Sequence, residues 1–176
     1  VHNGIIENHD QIRFELTEKN IVFETSTDTE VIPHLLRISM KNNNNFFDSC
    51  VAVAKKIEGA YAFAAIHSLK EEIFVARKTS PLVLGLGDGY NIVGSDAQSI
   101  SHMVNEVIYL NDGDYAILNK TNFQIYDFNN NEVEREKINI KSNLNFLNKD
   151  GYKHFMEKEI HEQPNVLINT IGSLVR

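Results

Sequence analysis

Residues 59–68, GAYAFAAIHS, and residues 71–80, EEIFVARKTS, are two short apolar stretches separated by a brief polar interruption. Their length and their β-branched and aromatic content predict two strands joined by a short turn. Short apolar stretches separated by turn residues continue downstream. They predict a hairpin over 81–96, a strand, Asp-Gly turn and strand over 106–120, and a further hairpin over 122–140 with its turn at 129–131. The middle of the chain is therefore predicted to be a run of antiparallel strands.

Helical patterns flank this run on its N-terminal side. Apolar residues recur at helical spacing over 9–19 and 46–57. Within the run of strands itself, a short helix is predicted at 97–103. Thr27 and Glu30 have the spacing of a capping box, which predicts a helix that starts at residue 27 or 28. Residues 21–26, IVFETS, alternate and predict a short strand, and the Asn tract 42–45 predicts an exposed polar loop. The fold class predicted is α+β.

The texture changes again near Ser142. A polar linker is followed by a helical pattern from about Tyr152, which Pro164 is expected to break or restart. We therefore predict a boundary here, with a partial domain over 1–141 and a linker and the start of a further domain over 142–176. The chain opens on Val1 within a predicted strand and stops at Arg176 within an amphipathic pattern, so we expect it to be a piece of a longer protein.

Composition narrows the classes of function. The 176 residues carry a formal net charge of -7, which argues against a nucleic-acid partner because phosphate binding needs clustered Lys and Arg. No apolar run approaches the roughly 18 residues of a membrane span. The only cysteine, Cys50, cannot form an internal disulfide, which fits the reducing cytoplasm. Its apolar neighbours at helical spacing predict a buried core thiol.

Two short segments carry candidate chemistry, and each has a plainer interpretation. Asn3-Gly4 favours a two-residue hairpin turn. It also suits an oxyanion hole, in which an Asn amide and a glycine N–H donate to one developing negative oxygen. Asp28 favours a helix cap, but a carboxylate at a helix start also suits a substrate ammonium group.

Other motifs predict no site. The glycines of 85–89 lack a following Lys-Ser/Thr and a helix, so they predict a hairpin turn and not a phosphate loop. The seven histidines show no metal-ligand spacing.

The segments VHNGIIENH (1–9) and TDTEV (27–31) together resemble the N-terminal-nucleophile (Ntn) glutamine amidotransferases. The likeness continues through GAYAFAAI, SPLVLGLGDG, GSDAQSI and YLNDGDYAIL to MEKEIHEQPN. It implies a four-layer αββα sandwich. It also implies that the Asn3 amide and the Gly4 N–H form the oxyanion hole, that Asp28 holds the α-amino group of glutamine, and that His2 is structural.

The family nucleophile is an N-terminal Cys, which this sequence lacks, so the chain alone is expected to be inactive. KEIHEQP (158–164) is similar to the junction with a sugar isomerase (SIS) domain, found in members that pass ammonia to fructose 6-phosphate. The resemblance implies a homodimeric parent, no metal and no organic cofactor. Two alternatives stay open: a purine-pathway phosphoribosyl amidotransferase, and a non-catalytic module that senses glutamine.

Overall fold

A computed structural model describes residues 1–42, 45–140 and 151–174. The strands are β1 (His2–Gly4), β2 (Tyr61–Ile66), β3 (Ile73–Lys78), β4 (Val83–Leu86), β5 (Asn91–Gly94), β6 (Glu106–Tyr109), β7 (Tyr115–Leu118), β8 (Phe123–Tyr126) and β9 (Lys137–Asn139). The helices are α1 (His9–Thr17), α2 (Val31–Lys41), α3 (Phe46–Lys56), α4 (Ala97–Ile100) and α5 (Phe155–Leu174). The chain divides into two compact units, Val1–Ile140 and Lys141–Arg176.

The strands of the first unit form two antiparallel sheets. The first has the order β1-β2-β3-β7-β8 and the second has the order β5-β4-β6-β9. Side chains alternate across each strand, so each sheet has two different faces. Ala62, Val75 and Ala116 of the first sheet share a core with Leu84 and Ile108 of the second. This core lies between the two sheets.

Helices α1, α2 and α3 pack on the outer face of the first sheet, and the four-residue helix α4 packs on the outer face of the second. Tyr61, Phe63 and Phe74 alternate with the residues of the inner core and share a second core with residues of α1, α2 and α3. On the second sheet, a Cβ added to Gly85 would lie 2.8 Å from Ile100 and 2.9 Å from Val104, so the end of α4 packs directly on that strand. The order helix, sheet, sheet, helix confirms the predicted α+β class and its αββα layers.

Helix α3 begins and packs as predicted. The side chain of Asn45 accepts a hydrogen bond from the backbone N–H of Asp48 at 2.8 Å, which caps the first turn. Cys50 is fully buried within this helix. The prediction of a core thiol is therefore confirmed.

The strand predicted at 21–26 is wrong, and so is the capping box at Thr27. The Arg13 guanidinium donates to the carbonyl oxygens of Thr25 and Thr27 at 3.0 and 2.8 Å. The Glu30 carboxylate accepts from the N–H groups of Glu24 and Thr25 at 2.7 and 2.8 Å. Side chains thus occupy the backbone groups that a strand would need, and Thr27 makes no side-chain cap to the 3₁₀ turn Asp28–Glu30 that precedes α2.

The hairpin predicted over 122–140 is also wrong. Strand β8 pairs with β7 and strand β9 pairs with β6, in the other sheet. The Asp127 carboxylate accepts from the N–H groups of Asn129 and Asn131 at 2.8 and 2.9 Å and closes a tight turn at the predicted place. After the single bridge between Tyr126 and Glu132, the chain crosses to the second sheet.

The second unit contains α5. The ring of Tyr152, which precedes this helix, stacks on the ring of His161 within it, with 5.2 Å between the ring centroids. Pro164 lies inside this 20-residue helix, so the expected break is wrong. A proline removes one helical hydrogen bond, and the turns on both sides keep theirs. Most of the predicted linker and two residues of the Asn tract, 43 and 44, lie outside the described residues. Within the described ranges, no helix has the length and apolar character needed to cross a membrane.

Candidate functional site

Asn3 and Gly4 lie in strand β1, at the edge of the first sheet, so the predicted hairpin turn is wrong. Val1 and Ala64 exchange both backbone hydrogen bonds at 3.0 Å, and Ile5 N–H donates to the Ala60 carbonyl at 2.8 Å. Paired residues of antiparallel strands alternate between hydrogen-bonded and non-hydrogen-bonded positions. The backbone N–H and C=O groups of the odd-numbered residues of β1 therefore point toward β2. Those of the even-numbered residues point the other way, so the Gly4 N–H is directed toward the open edge of the sheet.

Gly4 occupies a position that only glycine fits. Its φ is +115°, which lies in the region that L side chains rarely adopt. A Cβ built there would lie 2.0 Å from the carbonyl oxygen of Ala60. The strand can therefore present this N–H at the sheet edge only because residue 4 has no side chain.

The Asn3 side chain lies on the face of the sheet opposite to that of its neighbour in β1, His2. Its cross-strand partner is Ala62, which belongs to the core between the sheets. The Asn3 amide Nδ2 donates to the Ser95 Oγ at 3.2 Å. A small cavity of about 170 Å³ lies here, lined in part by Asn3, Ser95 and Phe63. The amide is exposed and has one further N–H to donate.

Asp28 sits beside the open edge of β1. Its Oδ2 accepts from the Ile6 N–H at 2.8 Å, and its Oδ1 accepts from the Thr29 hydroxyl at 3.4 Å. Burial opposes ionisation, but these hydrogen bonds and the nearby His2 outweigh it and lower the pKa of Asp28 below its usual value. The Thr29 backbone N–H also bonds to this carboxylate. An ionised carboxylate has about four acceptor positions, so Asp28 can still accept from a ligand.

Gly4 and Asp28 are close because Ile6 joins them. Ile6 is an even-numbered residue like Gly4, so its N–H also points away from β2, and this N–H donates to Asp28. The Cα atoms of Gly4 and Ile6 are at most about 7 Å apart along an extended chain. An outward backbone N–H donor and a carboxylate therefore lie within the length of one small molecule, such as an amino acid.

His2 connects β1 to the turn that carries Asp28. Its Nδ1 lies 2.9 Å from the Thr29 Oγ1, and burial lowers the pKa of the imidazole. Its Nε2 is buried and has no hydrogen-bond partner in the part of the chain that the structure describes. The contact with Thr29 thus links β1 directly to the turn that carries Asp28.

The segment before Asp28 depends on Glu30. Hydrogen bonds from the Thr25 side chain and from the Glu24 and Thr25 N–H groups lower the pKa of Glu30 from 4.5 to about 2. The carboxylate thus prefers to be ionised in the folded state. Its three bonds hold residues 24 and 25 against the turn that carries Asp28.

We predict that Glu30→Gln lowers the melting temperature at pH 7. The lowered pKa means that the stabilising contribution is fully present above about pH 4.5 and is lost as the pH falls toward 2. The difference between the variant and the parent should therefore shrink between pH 5 and pH 2.5, measured by thermal unfolding. Glu18→Gln, at an exposed position after α1, is the control. A difference that stays constant over this range would contradict the prediction.

Cys50, the histidines and the glycines of 85–89 form no site among the described residues. Cys50 is enclosed in the core and burial raises its pKa to about 12, so its thiolate is not available at neutral pH. In residues 1–42, 45–140 and 151–174, no three His, Cys, Asp or Glu side chains are grouped to hold a metal ion. The glycines of 85–89 form the hairpin between β4 and β5, as predicted.

A protein-family model described as a glutamine amidotransferase domain matches residues 1–102. The chain belongs to the glutamine amidotransferase family. The matched amidotransferase region contains Asn3, Gly4, Asp28 and Ser95, so it includes every residue of the site described above. The family predicted from the sequence is therefore confirmed.

Curated relatives of this amidotransferase chain are similar over nearly its whole length. The glutamine–fructose-6-phosphate aminotransferase [isomerizing] of Rhizobium leguminosarum bv. viciae is 40% identical over 176 residues, 99% of this chain and 29% of the relative. The enzyme of the same name from Idiomarina loihiensis is 41% identical over 97% of this chain and 28% of its own length. The one from Thermotoga maritima is 40% identical over 100% of this chain and 29% of its own length. The chain spans less than a third of these relatives.

Solved structures share the fold. A glutamine phosphoribosylpyrophosphate amidotransferase from B. subtilis superposes with a TM-score of 0.64 at 25% identity, over 75% of this chain and 29% of that one. A structure described as the allosteric regulatory enzyme of purine biosynthesis has a TM-score of 0.61 at 26% identity, over 72% and 27%. These structures support the Ntn-type amidotransferase fold of the first unit.

Sequence reasoning missed Ser95. Its 92-residue separation from Asn3 hides the contact, and an exposed serine after a strand carries no spacing signal of its own. Two features could have pointed to it: the position of GSD at the end of β5, and the prediction that two antiparallel sheets pack face to face.

Proposed function

We propose that the first unit is a glutaminase domain, in which Asn3 and Gly4 form an oxyanion hole and Asp28 binds the α-ammonium group of glutamine. The observation that carries this proposal is the direction of the backbone N–H groups along the edge strand β1. The outward N–H of Gly4 and the outward N–H of Ile6, with Asp28 bound to it, lie on the same open edge. The domain would span residues 1–141, and residues 142–176 would lead into a sugar isomerase domain.

The chemistry follows from what a reacting amide needs. When a nucleophile attacks the side-chain amide carbon of glutamine, the carbonyl oxygen gains negative charge. Preorganised donors at that oxygen stabilise the transition state, and the Asn3 Nδ2 and Gly4 N–H are two such donors. Ammonia then leaves, and water releases glutamate from the acyl intermediate.

The nucleophile of this reaction is proposed to come from outside the 176 residues. The family resemblance implies an N-terminal cysteine whose own α-amino group acts as the base. Cys50 does not fit this role because it is enclosed in the core between α3 and the first sheet.

The parent protein is proposed to pass the ammonia to fructose 6-phosphate and so to make glucosamine 6-phosphate. Relatives of about 40% identity that carry this activity in their names support this assignment. A cytoplasmic homodimer is part of the same proposal. The alternative is ammonia transfer to a phosphoribosyl substrate, which the fold of the solved amidotransferase supports at 25% identity. Assaying the full-length protein with each acceptor separates the two.

We predict that Asp28→Asn in the full-length protein raises the KM for glutamine by roughly 10- to 100-fold, the scale of one hydrogen bond to a charged group. The asparagine Oδ1 can still accept from the Ile6 N–H, so the turn keeps its shape while the charge is lost. Because the ammonium group is held equally before and during the reaction, kcat should change little. Steady-state glutamate release at varied glutamine concentration measures both constants.

Asp10→Asn, whose side chain is 90% exposed on α1, is the matched control and should behave as the parent. An unchanged KM for Asp28→Asn would remove Asp28 from the binding site. Glutamine binding without any glutamate release by the unsubstituted full-length protein would favour the non-catalytic sensor instead.

A further inference from the structure

We propose that Ser95 is a positioning residue that holds the Asn3 amide in its donating orientation. The inference rests on the proposed glutaminase function and adds a residue to its site. The observation is the hydrogen bond from Asn3 Nδ2 to Ser95 Oγ at 3.2 Å, which joins the edge strand of the first sheet to the second sheet.

The backbone around Ser95 is well fixed. Gly94, the last residue of β5, pairs with Val83, and a Cβ added to it would lie 2.8 Å from Ile100. Asp96 then caps α4, because its side chain accepts from the Ser99 N–H at 2.7 Å and its carbonyl accepts from the Ser99 hydroxyl at 2.8 Å. Ser95 therefore lies between a paired strand and a capped helical turn, so its backbone, and with it the base of its side chain, has a fixed place beside Asn3.

Asn3 lacks such restraint of its own. The residue is exposed on an edge strand, and an asparagine amide rotates readily about its last torsion. A rotated amide presents its oxygen, which repels an oxyanion, in place of its N–H. When Ser95 Oγ accepts one of the two Nδ2 hydrogens, the plane of the amide is held and the other hydrogen remains for the substrate.

The bond contributes little to the general stability of the fold. The two sheets already share the core of Ala62, Leu84 and Ile108. One hydrogen bond between two exposed side chains adds little to that core. A Ser95 variant is therefore expected to fold and to show its defect in the reaction.

The test uses Ser95→Ala, Ser95→Thr and Ser101→Ala in the full-length protein, with glutamate release as the readout. Ser101 is the matched control, since its hydroxyl donates to the Gln98 carbonyl of its own turn at 2.9 Å and is not part of the proposed site. We expect Ser95→Ala to lower kcat about tenfold, less than the 10²–10³-fold typical of a lost donor, because the donor is still present. The KM for glutamine should not change, since the oxyanion exists only in the transition state. Ser95→Thr, which keeps the hydroxyl, should restore most of the rate.

The double variant Asn3→Ala, Ser95→Ala separates positioning from a general structural effect. If Ser95 acts through Asn3, the double variant is no slower than Asn3→Ala alone. An additive further loss, or equal losses in Ser95→Ala and Ser101→Ala, would overturn the inference. The two proposals also fail separately. If Asn3→Ala lowers kcat and Ser95→Ala does not, only the Ser95 inference is wrong, whereas a fully active Asn3→Ala removes the oxyanion role itself.

Discussion

Replacing Asn3 by alanine in the full-length protein is expected to lower kcat for glutamine hydrolysis by roughly 10²–10³-fold, or about 2.7–4 kcal/mol of transition-state stabilisation. The amide Nδ2 is one of two donors proposed for the developing oxyanion, and alanine offers none. The Gly4 N–H comes from the backbone and stays in place. The KM for glutamine should remain close to that of the parent, because Asp28, not Asn3, is proposed to hold the substrate in the ground state.

Asn3→Asp sharpens this test. The aspartate has nearly the shape of asparagine, but it puts a negative oxygen where the donor was, so its kcat should fall at least as far as that of the alanine variant. Asn129→Ala, at an exposed asparagine in the turn after β8, is the control. A loss of less than threefold in Asn3→Ala would rule out the oxyanion assignment. Melting temperatures close to that of the parent would show that the loss is chemical.

The strands and helices that could be predicted were those in which local pattern and packing agree. Strands β2 and β3 lie where the short apolar stretches predicted them, because the two faces of this sheet meet two different cores. Helix α3 was predicted from its apolar spacing to its first residue, and the Asn45 cap, which the prediction did not use, fixes that start.

The errors arose where distant groups decide the structure. Residues 21–26 alternate like a strand, but the Arg13 guanidinium and the Glu30 carboxylate take their backbone groups. The stretch 122–140 has two strands and a turn in sequence, but the second strand pairs with β6 of the other sheet. The local pattern of apolar residues predicts a strand, but it does not predict which strand of which sheet will be its hydrogen-bonding partner.

The candidate site depended on the family resemblance more than on the residues. By spacing alone, Asn3-Gly4 favoured a hairpin turn, and Asp28 favoured a helix cap. The structure places the first pair in an edge strand and bonds the Asp28 side chain to the Ile6 N–H. The alignment of outward N–H groups on β1 depends on pairing with β2, nearly 60 residues away, so it could not be predicted from the local sequence.

Asp114→Ala is expected to lower the free energy of unfolding by about 3–5 kcal/mol, the range for removing one partner of a buried ion pair. Asp114 is 1% exposed, and its two carboxylate oxygens accept from the Nε and Nη2 of Arg135, both at 2.8 Å. One of these oxygens also accepts from the Asn111 N–H at 2.7 Å. The alanine variant would leave a partly buried guanidinium without its counter-charge and a backbone N–H without its acceptor.

The position of this pair explains why the loss should spread. Asp114 lies where the chain crosses from β6 of the second sheet to β7 of the first, and Arg135 lies where it returns from β8 to β9. One ion pair therefore holds both crossings, and its removal loosens the connection between the sheets. Urea unfolding followed by circular dichroism measures the change, with Asp88→Ala in the exposed β4–β5 turn as the control. Asp114→Leu combined with Arg135→Met should recover part of the loss, because an apolar pair leaves no buried charge uncompensated. If the double variant is as unstable as Asp114→Ala, the Asn111 hydrogen bond and not the ion pair is the main contribution of this aspartate.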